Sequence, residues 1–415
     1  MTKNPSKNKM LRNCLGAALL AGAGVASAGA QDAVRLDKLE KENADLKKRL
    51  ENIEALATKE GILPKDKVPN KTLKFLAESE ISGFVSASYF YDFSKPIDGV
   101  SNGYLWTRHN SVSLNKAKVA IQRLAKSGDE IDVGYHVSMI WGQDAPFVNT
   151  GGAAQGVESL RSAFIDVNLP VGTGLNIKAG QLISLLNWES GDGGVVNANF
   201  SQGNQWFYTG NGPSTGVQLS YALSDKVDLK VRLQNGLYAG LADANSGKTA
   251  MASIGYKPDA KTGITFIGFG GYEPFGQIVG GSILASRQLT EKYNLTLATE
   301  LDLFSVQTKP VGGMDYWSVG GWLTADITEK LGLALRADYV QDNDGFATGG
   351  VGPAGFAFPA NTGQNLASLT FTASYKLTPN LKLQPEIRYD RTSLANGFDG
   401  ANSRFIGGMG ASYSF

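Results

Sequence analysis

The 415 residues would suffice for two or three soluble domains or for one large β-barrel, and 51 glycines, 19 phenylalanines, 15 tyrosines and a charged fraction of only 19% suit short strands and turns better than helices. A formal charge of +1 gives no basic surface for nucleic acid, which is excluded as an expected partner. Two histidines and one cysteine leave too few ligands for a zinc site of ordinary spacing and none for a disulfide, so no metal and no cofactor is expected.

Residues 1–30 read as a secretory signal. Lys3, Lys7, Lys9 and Arg12 precede the apolar run Leu15 to Val25, followed by Ala-Ser-Ala-Gly-Ala. The run is too short to span a bilayer as a helix. Cys14 lies within it, behind Leu-Arg-Asn instead of the small apolar residues of a lipoprotein site. Without this segment 35 basic residues face 38 acidic ones, a charge near −3.

Residues 31–60 change period. Leu36, Leu39, Leu46, Leu50 and Ile53 recur at alternating spacings of three and four, and Asn43 takes an a position, where a buried amide fixes register and oligomer state. This predicts a short periplasmic coiled-coil helix that helps chains oligomerise; a solitary amphipathic helix is the alternative. Residues 61–79, with Pro64 and Pro69, read as a linker.

From residue 80 to 415 the period is two. In 381–390, Leu381, Leu383, Pro385, Ile387 and Tyr389 alternate with Lys382, Gln384, Glu386, Arg388 and Asp390. A soluble sandwich would turn the polar face to water, whereas a membrane barrel turns the apolar face to lipid and the polar face to its lumen. Connection lengths decide between them. Sixteen strands are predicted, with tight connections near 125, 171, 224, 259, 290, 328 and 378 alternating with eight mostly longer loops. The fold class is therefore an all-β transmembrane barrel of sixteen antiparallel strands in outer-membrane lipid, preceded by the short helix. Four tight connections form a degenerate repeat at Tyr221–Leu229, Arg287–Leu295, Ala325–Leu333 and Tyr375–Leu383, each placing Ser or Thr between apolar strand ends. Tyr221, Tyr256, Tyr293 and Tyr375 stand beside these turns and Tyr89, Tyr91, Phe93, Trp141, Trp317, Tyr339 and Tyr389 at the opposite ends, the placing of two aromatic girdles.

The run Ile81 to Pro96, then Asn110 to Ala117, then Gly180-Gln181 with Glu189, Asn197, Asn199, Ser201, Pro213 and Thr215-Gly216, resembles the OmpL-like beta-barrel porins of Gram-negative bacteria. The sequence departs from that pattern at Ser214, between Pro213 and Thr215, where a histidine would be expected. The resemblance implies passive diffusion of small hydrophilic solutes. A second resemblance, to the phosphate-selective porins, rests on architecture and implies a homotrimer with an N-terminal coiled coil. The terminal Phe415, closing an apolar strand, resembles the signal read by the barrel-assembly machinery.

Residues 184–213 are too long for an idle connection and are expected to be a loop folded into the pore. Its constriction residues would be Trp188, Glu189, Asp192, Asn197, Asn199, Trp206 and Tyr208, screening by size and hydrogen bonding more than by charge. Parity points Lys178, Asp228, Lys230, Arg232, Glu300, Asp302, Arg336, Asp338, Glu386, Arg388 and Asp390 into the lumen, a mixed lining that favours weak ion selectivity. A phase slip between Leu114 and Ala117 leaves the facing of Lys116 and Lys118 open. His136, also on the lumen parity, is expected to be a solvated histidine; as a general base it would need a serine within reach. Asp342-Asn343-Asp344-Gly345 resembles part of a calcium loop but lacks the downstream glutamate. The rival readings are an outer-membrane tether that contacts the cell wall through the coiled coil, and an outer-membrane hydrolase.

Overall fold

A computed structural model describes residues 77–96, 108–149, 159–239, 241, 243, 245–308, 312–348, 363–398 and 400–415, together with scattered positions in 45–59 and residue 75. The chain divides into two units, Met1–Ala77 and Glu78–Phe415. In the first, Asp45, Lys48, Arg49, Asn52, Ile53, Ala55, Leu56 and Lys59 are helical and exposed, and Arg49 stands 3.9 Å from Asp45 one turn away. The signal segment, the heptad positions Leu36, Leu39, Asn43, Leu46 and Leu50 and most of the linker lie outside the described residues.

The second unit is a closed barrel of sixteen antiparallel strands, in which each strand pairs with its sequence neighbours and the first pairs with the last. They are β1 (Glu80–Asp92), β2 (Ser111–Arg123), β3 (Asp132–Trp141), β4 (Leu160–Leu169), β5 (Leu175–Leu182), β6 (Ser214–Ser224), β7 (Val227–Gln234) and β8 (Thr249–Tyr256). The second half comprises β9 (Thr262–Glu273), β10 (Gly276–Thr290), β11 (Leu295–Thr308), β12 (Gly312–Asp326), β13 (Leu331–Asp342), β14 (Gln364–Lys376), β15 (Leu381–Thr392) and β16 (Ser403–Ser414). Closure leaves no strand edge unpaired, which is the condition for crossing lipid with strands. At the seam Gly83 and Phe415 exchange two backbone hydrogen bonds of 3.0 Å.

Burial runs opposite to that of a soluble protein. On β15 Pro385, Ile387 and Tyr389 are exposed, whereas Gln384, Glu386, Arg388, Asp390 and Thr392 are buried. The charges point inward, so the outward apolar band is the surface that meets lipid. Among the described residues no helix is long and apolar enough to cross a membrane; the strands do so.

The repeated hydroxyls make the tight turns. Ser224 Oγ accepts the Lys226 and Val227 amides at 3.2 Å, Thr290 Oγ1 accepts the Lys292 amide at 3.2 Å, and Thr328 Oγ1 accepts the Leu331 amide at 2.9 Å. Thr378 Oγ1 does the same for the Leu381 amide at 3.0 Å. Each side chain replaces a backbone partner that the turn would leave unsatisfied. At the other end of the barrel two connections are as short as turns, Glu273 to Gly276 and Thr308 to Gly312, because β9 to β12 run past their expected ends.

A bulge in β2 resolves the phase slip. Ser86 pairs with Lys116 and Ala87 with Leu114, so Asn115 is the extra residue and both Lys116 and Lys118 face inward. The lumen is also less polar than the alternation suggests. Met251, Phe269, Phe304 and Tyr316 point inward, and Phe304 stacks on Tyr316 at 4.6 Å, which continues to Phe346 at 5.5 Å. This aromatic chain fills the long-loop end of the lumen beside β8 to β12.

Candidate functional site

The loop between β5 and β6 enters the barrel and carries a short 3-10 turn, Gly193–Val195, and one helical segment, α1 (Asn204–Thr209). Glycine, asparagine and glutamine allow this course. Gly193 has φ 70°, and Asn197 closes the loop on itself by accepting the Ser190 amide and donating to the Ser190 carbonyl, both at 2.9 Å. Ser184 and Asn211 tie its two ends together.

The wall holds the loop through carboxylates aimed at its backbone. Glu300 accepts the Trp188 amide at 2.9 Å, Glu386 accepts the Phe200 amide at 2.7 Å and the Ser201 amide at 3.2 Å, and Asp338 accepts the Asn204 amide at 3.1 Å. Asp302 accepts the Gln205 amide group at 2.8 Å and the hydroxyls of Thr209 and Ser318 at 2.9 Å. Arginines supply the complementary half. Arg336 donates to Glu189 at 2.7 Å and to the Ser201 carbonyl, and Arg388 donates to the Gln202 carbonyl at 2.7 Å and to Asp390 at 2.7 Å. Asp390 in turn accepts from Arg404 at 3.0 Å. Charged hydrogen bonds of this length in a dry site are the strong ones.

Eight of the inward charges read from the sequence are therefore buried: Arg232, Glu300, Asp302, Arg336, Asp338, Glu386, Arg388 and Asp390. All but two of them hydrogen-bond the loop segment 188–209 directly; Asp390 acts through Arg388, and Arg232 donates to the Ile183 carbonyl at 2.9 Å and to Gln218. Lys178, Asp228 and Lys230 remain half-exposed on the opposite wall, with Lys178 Nζ 4.9 Å over the Phe164 ring and Lys230 Nζ 3.7 Å from Asp228.

The loop residues divide in the same way. Glu189, Asn197 and Asn199 are spent on anchoring, Asn199 by donating to Thr372 at 2.7 Å. Asp192 meets Lys118 at 2.6 Å. Trp188, Trp206 and Tyr208 line a cavity of about 700 Å³ on the long-loop side. Tyr238 lines it too and shares a 3.2 Å hydrogen bond with Tyr316; burial raises its phenol above the ordinary tyrosine range, so it stays a neutral hydroxyl.

Phe200 seats the loop's tip. It stacks on Phe90 at 5.6 Å and lies against Gly410 of β16, where any side chain would occupy the ring's place. A Gly410→Val variant is expected to unseat the tip and to turn a steady single-channel current into a noisy one. A current as quiet as that of the unaltered protein would show that this seat does not hold the loop.

His136 meets the stated condition for a base, since Ser162 Oγ stands 2.9 Å from Nε2. Nδ1, however, faces the Gln122 amide oxygen at 2.9 Å instead of a carboxylate, and the ring stacks on Phe164 at 4.8 Å. Ser162 is buried within β4, and its hydroxyl is shared with Ser138 Oγ at 2.8 Å. Asp342 is likewise occupied: it accepts the amides of Phe346, Ala347 and Thr348 at 3.1, 2.8 and 2.7 Å, the bonding of a capped turn. Among the described residues no three His, Cys, Asp or Glu side chains stand together as metal ligands.

A closed barrel that is apolar outside, charged inside and crossed by an anchored loop is an outer-membrane diffusion channel of a Gram-negative bacterium. The chain belongs to the family described as "Putative beta-barrel porin-2, OmpL-like", which matches residues 78–415. No curated protein matches it by sequence. Among solved structures, OprB of Pseudomonas putida has a TM-score of 0.56 at 11% identity, with 83% of this chain and 96% of that one covered. The anion-selective porin from Comamonas acidovorans gives 0.55 at 10% identity, covering 81% and 99%. The outer-membrane channel DcaP of Acinetobacter baumannii gives 0.52 at 15% identity, covering 81% and 97%. At these identities the likeness is one of fold.

Proposed function

We propose that small hydrophilic solutes and ions cross the barrel between the long loop and the wall formed by β3 to β8, with residues 184–213 as the constriction. The observation that supports this is the one-sided anchoring of the loop. Apart from its base, where Asn211 donates to the Leu237 carbonyl at 3.3 Å, its bonds run to β2 and to β11 through β15, while Lys178, Asp228 and Lys230 keep their contact with water on the other side. The passage is thus bordered by few unpaired charges and by loop amides and aromatics, which suits screening by size and hydrogen bonding. Purified protein in a planar bilayer is expected to give stepwise conductance, with reversal potentials in a salt gradient reporting only weak ion preference; the absence of any steps would refute the channel.

The reading includes no catalysis, because the His136–Ser162 pair has the Gln122 amide where a general base would need an orienting carboxylate. It also includes a homotrimer, supported by the fold's likeness to OmpT of Vibrio cholerae in its trimer form, TM-score 0.53 at 9% identity, and by the heptad spacing of residues 36–53. Phe415, exposed at the end of the closing strand, is proposed as the residue presented to the barrel-assembly machinery.

A further inference from the structure

The cavity on the long-loop side contains a buried cation that makes no direct ion pair among the described residues. Arg161 rises from β4 and is only 8% exposed. One of its terminal nitrogens donates to the Val148 carbonyl, its Nε has no hydrogen-bond partner, and the carboxylate that acts on it across the loop, Asp192, forms its direct ion pair with Lys118 at 2.6 Å instead. The one carboxylate among the cavity's described lining residues, Glu189, is already neutralised by Arg336 at 2.7 Å. A buried guanidinium in this state is unfavourable until an anion reaches it, and its planar fork matches a carboxylate. Six aromatic side chains share the lining with it: Phe147, Trp188, Trp206, Phe207, Tyr208 and Tyr238. A volume of about 700 Å³ is that of a small-molecule site.

We propose that this cavity binds an aromatic monocarboxylate, its carboxylate on Arg161 and its ring between the aromatic walls. The proposal deepens the channel reading, and rests on it, by naming a class of solute held at the entrance of the passage. A neutral sugar would find the amides of Asn149, Asn187 and Asn211 but would leave Arg161 uncompensated. An aliphatic anion would satisfy Arg161 and leave the aromatic walls wet.

Trp188 and Trp206 make the test direct. Titration of the detergent-solubilised protein with benzoate is expected to change tryptophan fluorescence saturably, with an affinity at least about tenfold above those of benzyl alcohol, acetate and glucose, as a charged hydrogen-bond pair warrants. An Arg161→Met variant should lose the preference for benzoate over benzyl alcohol; if it does not fold, the ligand series on the unaltered protein decides alone. Equal binding of benzoate and benzyl alcohol, tighter binding of glucose, or no saturation would each overturn the proposal. Fluorescence needs no open pore, so failure of the channel reading, seen as absent conductance, stays distinguishable from failure of this one.

Discussion

Deleting residues 191–203 is expected to raise single-channel conductance by about twofold or more, because a water-filled pore conducts according to its narrowest section and, on the proposed reading, this segment occupies part of it. It should also shift the reversal potential toward anion preference. The deletion removes Asp192 and frees Lys118, which that carboxylate now meets at 2.6 Å. It strips Lys382 of its bond to the Val195 carbonyl at 3.0 Å, and Glu386 of the Phe200 and Ser201 amides. Two cations and one carboxylate thus gain water while a loop carboxylate is lost. Arg388 and Arg336 contribute little to the shift, since Asp390 and Glu189 remain to pair with them. An unchanged conductance would show that the segment does not narrow the passage, and a shift toward cations would show that the charge account is wrong.

Replacing Arg336 by methionine is expected to release the loop without opening the barrel. The side chain is fully buried, and its loss would leave Glu189 with only the Gly203 amide and the Trp322 indole as donors, while Asp338 would lose its adjacent cation 3.5 Å away. Breaking a buried pair by removing one member costs about 3–5 kcal/mol, chiefly because the other charge stays buried. The strand ladders do not depend on it, so the heat-resistant mobility of the folded barrel on gels should persist. Amide exchange in 188–204 should accelerate strongly, and the current should flicker. Arg336→Lys should fall between, because an ammonium cannot reach Glu189, the Ser201 carbonyl and Thr370 at once as the guanidinium does. Exchange and current identical to those of the unaltered protein would refute the anchoring role.

The strands were readable in the sequence where one parity was polar and the other apolar, as in β13 and β15, and where a hydroxyl marked the turn, as at Thr328 and Thr378. They were harder to orient where both parities are apolar. In β9, Phe266 faces outward and Ile267 inward, and nothing in Thr-Phe-Ile-Gly-Phe tells them apart. The aromatic filling beside β8 to β12 was hidden for that reason. Parity also placed Arg336, Asp338, Glu386 and Arg388 inside, but an inward charge can face water or a loop backbone, and alternation is the same in both cases. What separates them is the path of a segment well over a hundred residues away. The one visible hint was compositional: residues 184–213 are rich in amides and glycine, the groups that carboxylates and guanidinium groups on a wall would bind. The bulge at Asn115 was visible as a broken phase, although not in which direction it would resolve.

The anchored loop inside the barrel is not a portable module. Its backbone is recognised by side chains on β11, β13 and β15, which belong to different hairpins, so grafting residues 184–213 alone into another barrel of this architecture would leave the graft without its sockets and the donor's wall charges without their occupant. In a lineage, loop and wall must drift together: a change at Glu386 or Arg388 is a change in the fit of a segment that no alignment window around β15 would contain. Pore redesign here is therefore a matter of exchanging a matched set, and natural variants with altered passage should show paired substitutions in the loop and in these three strands.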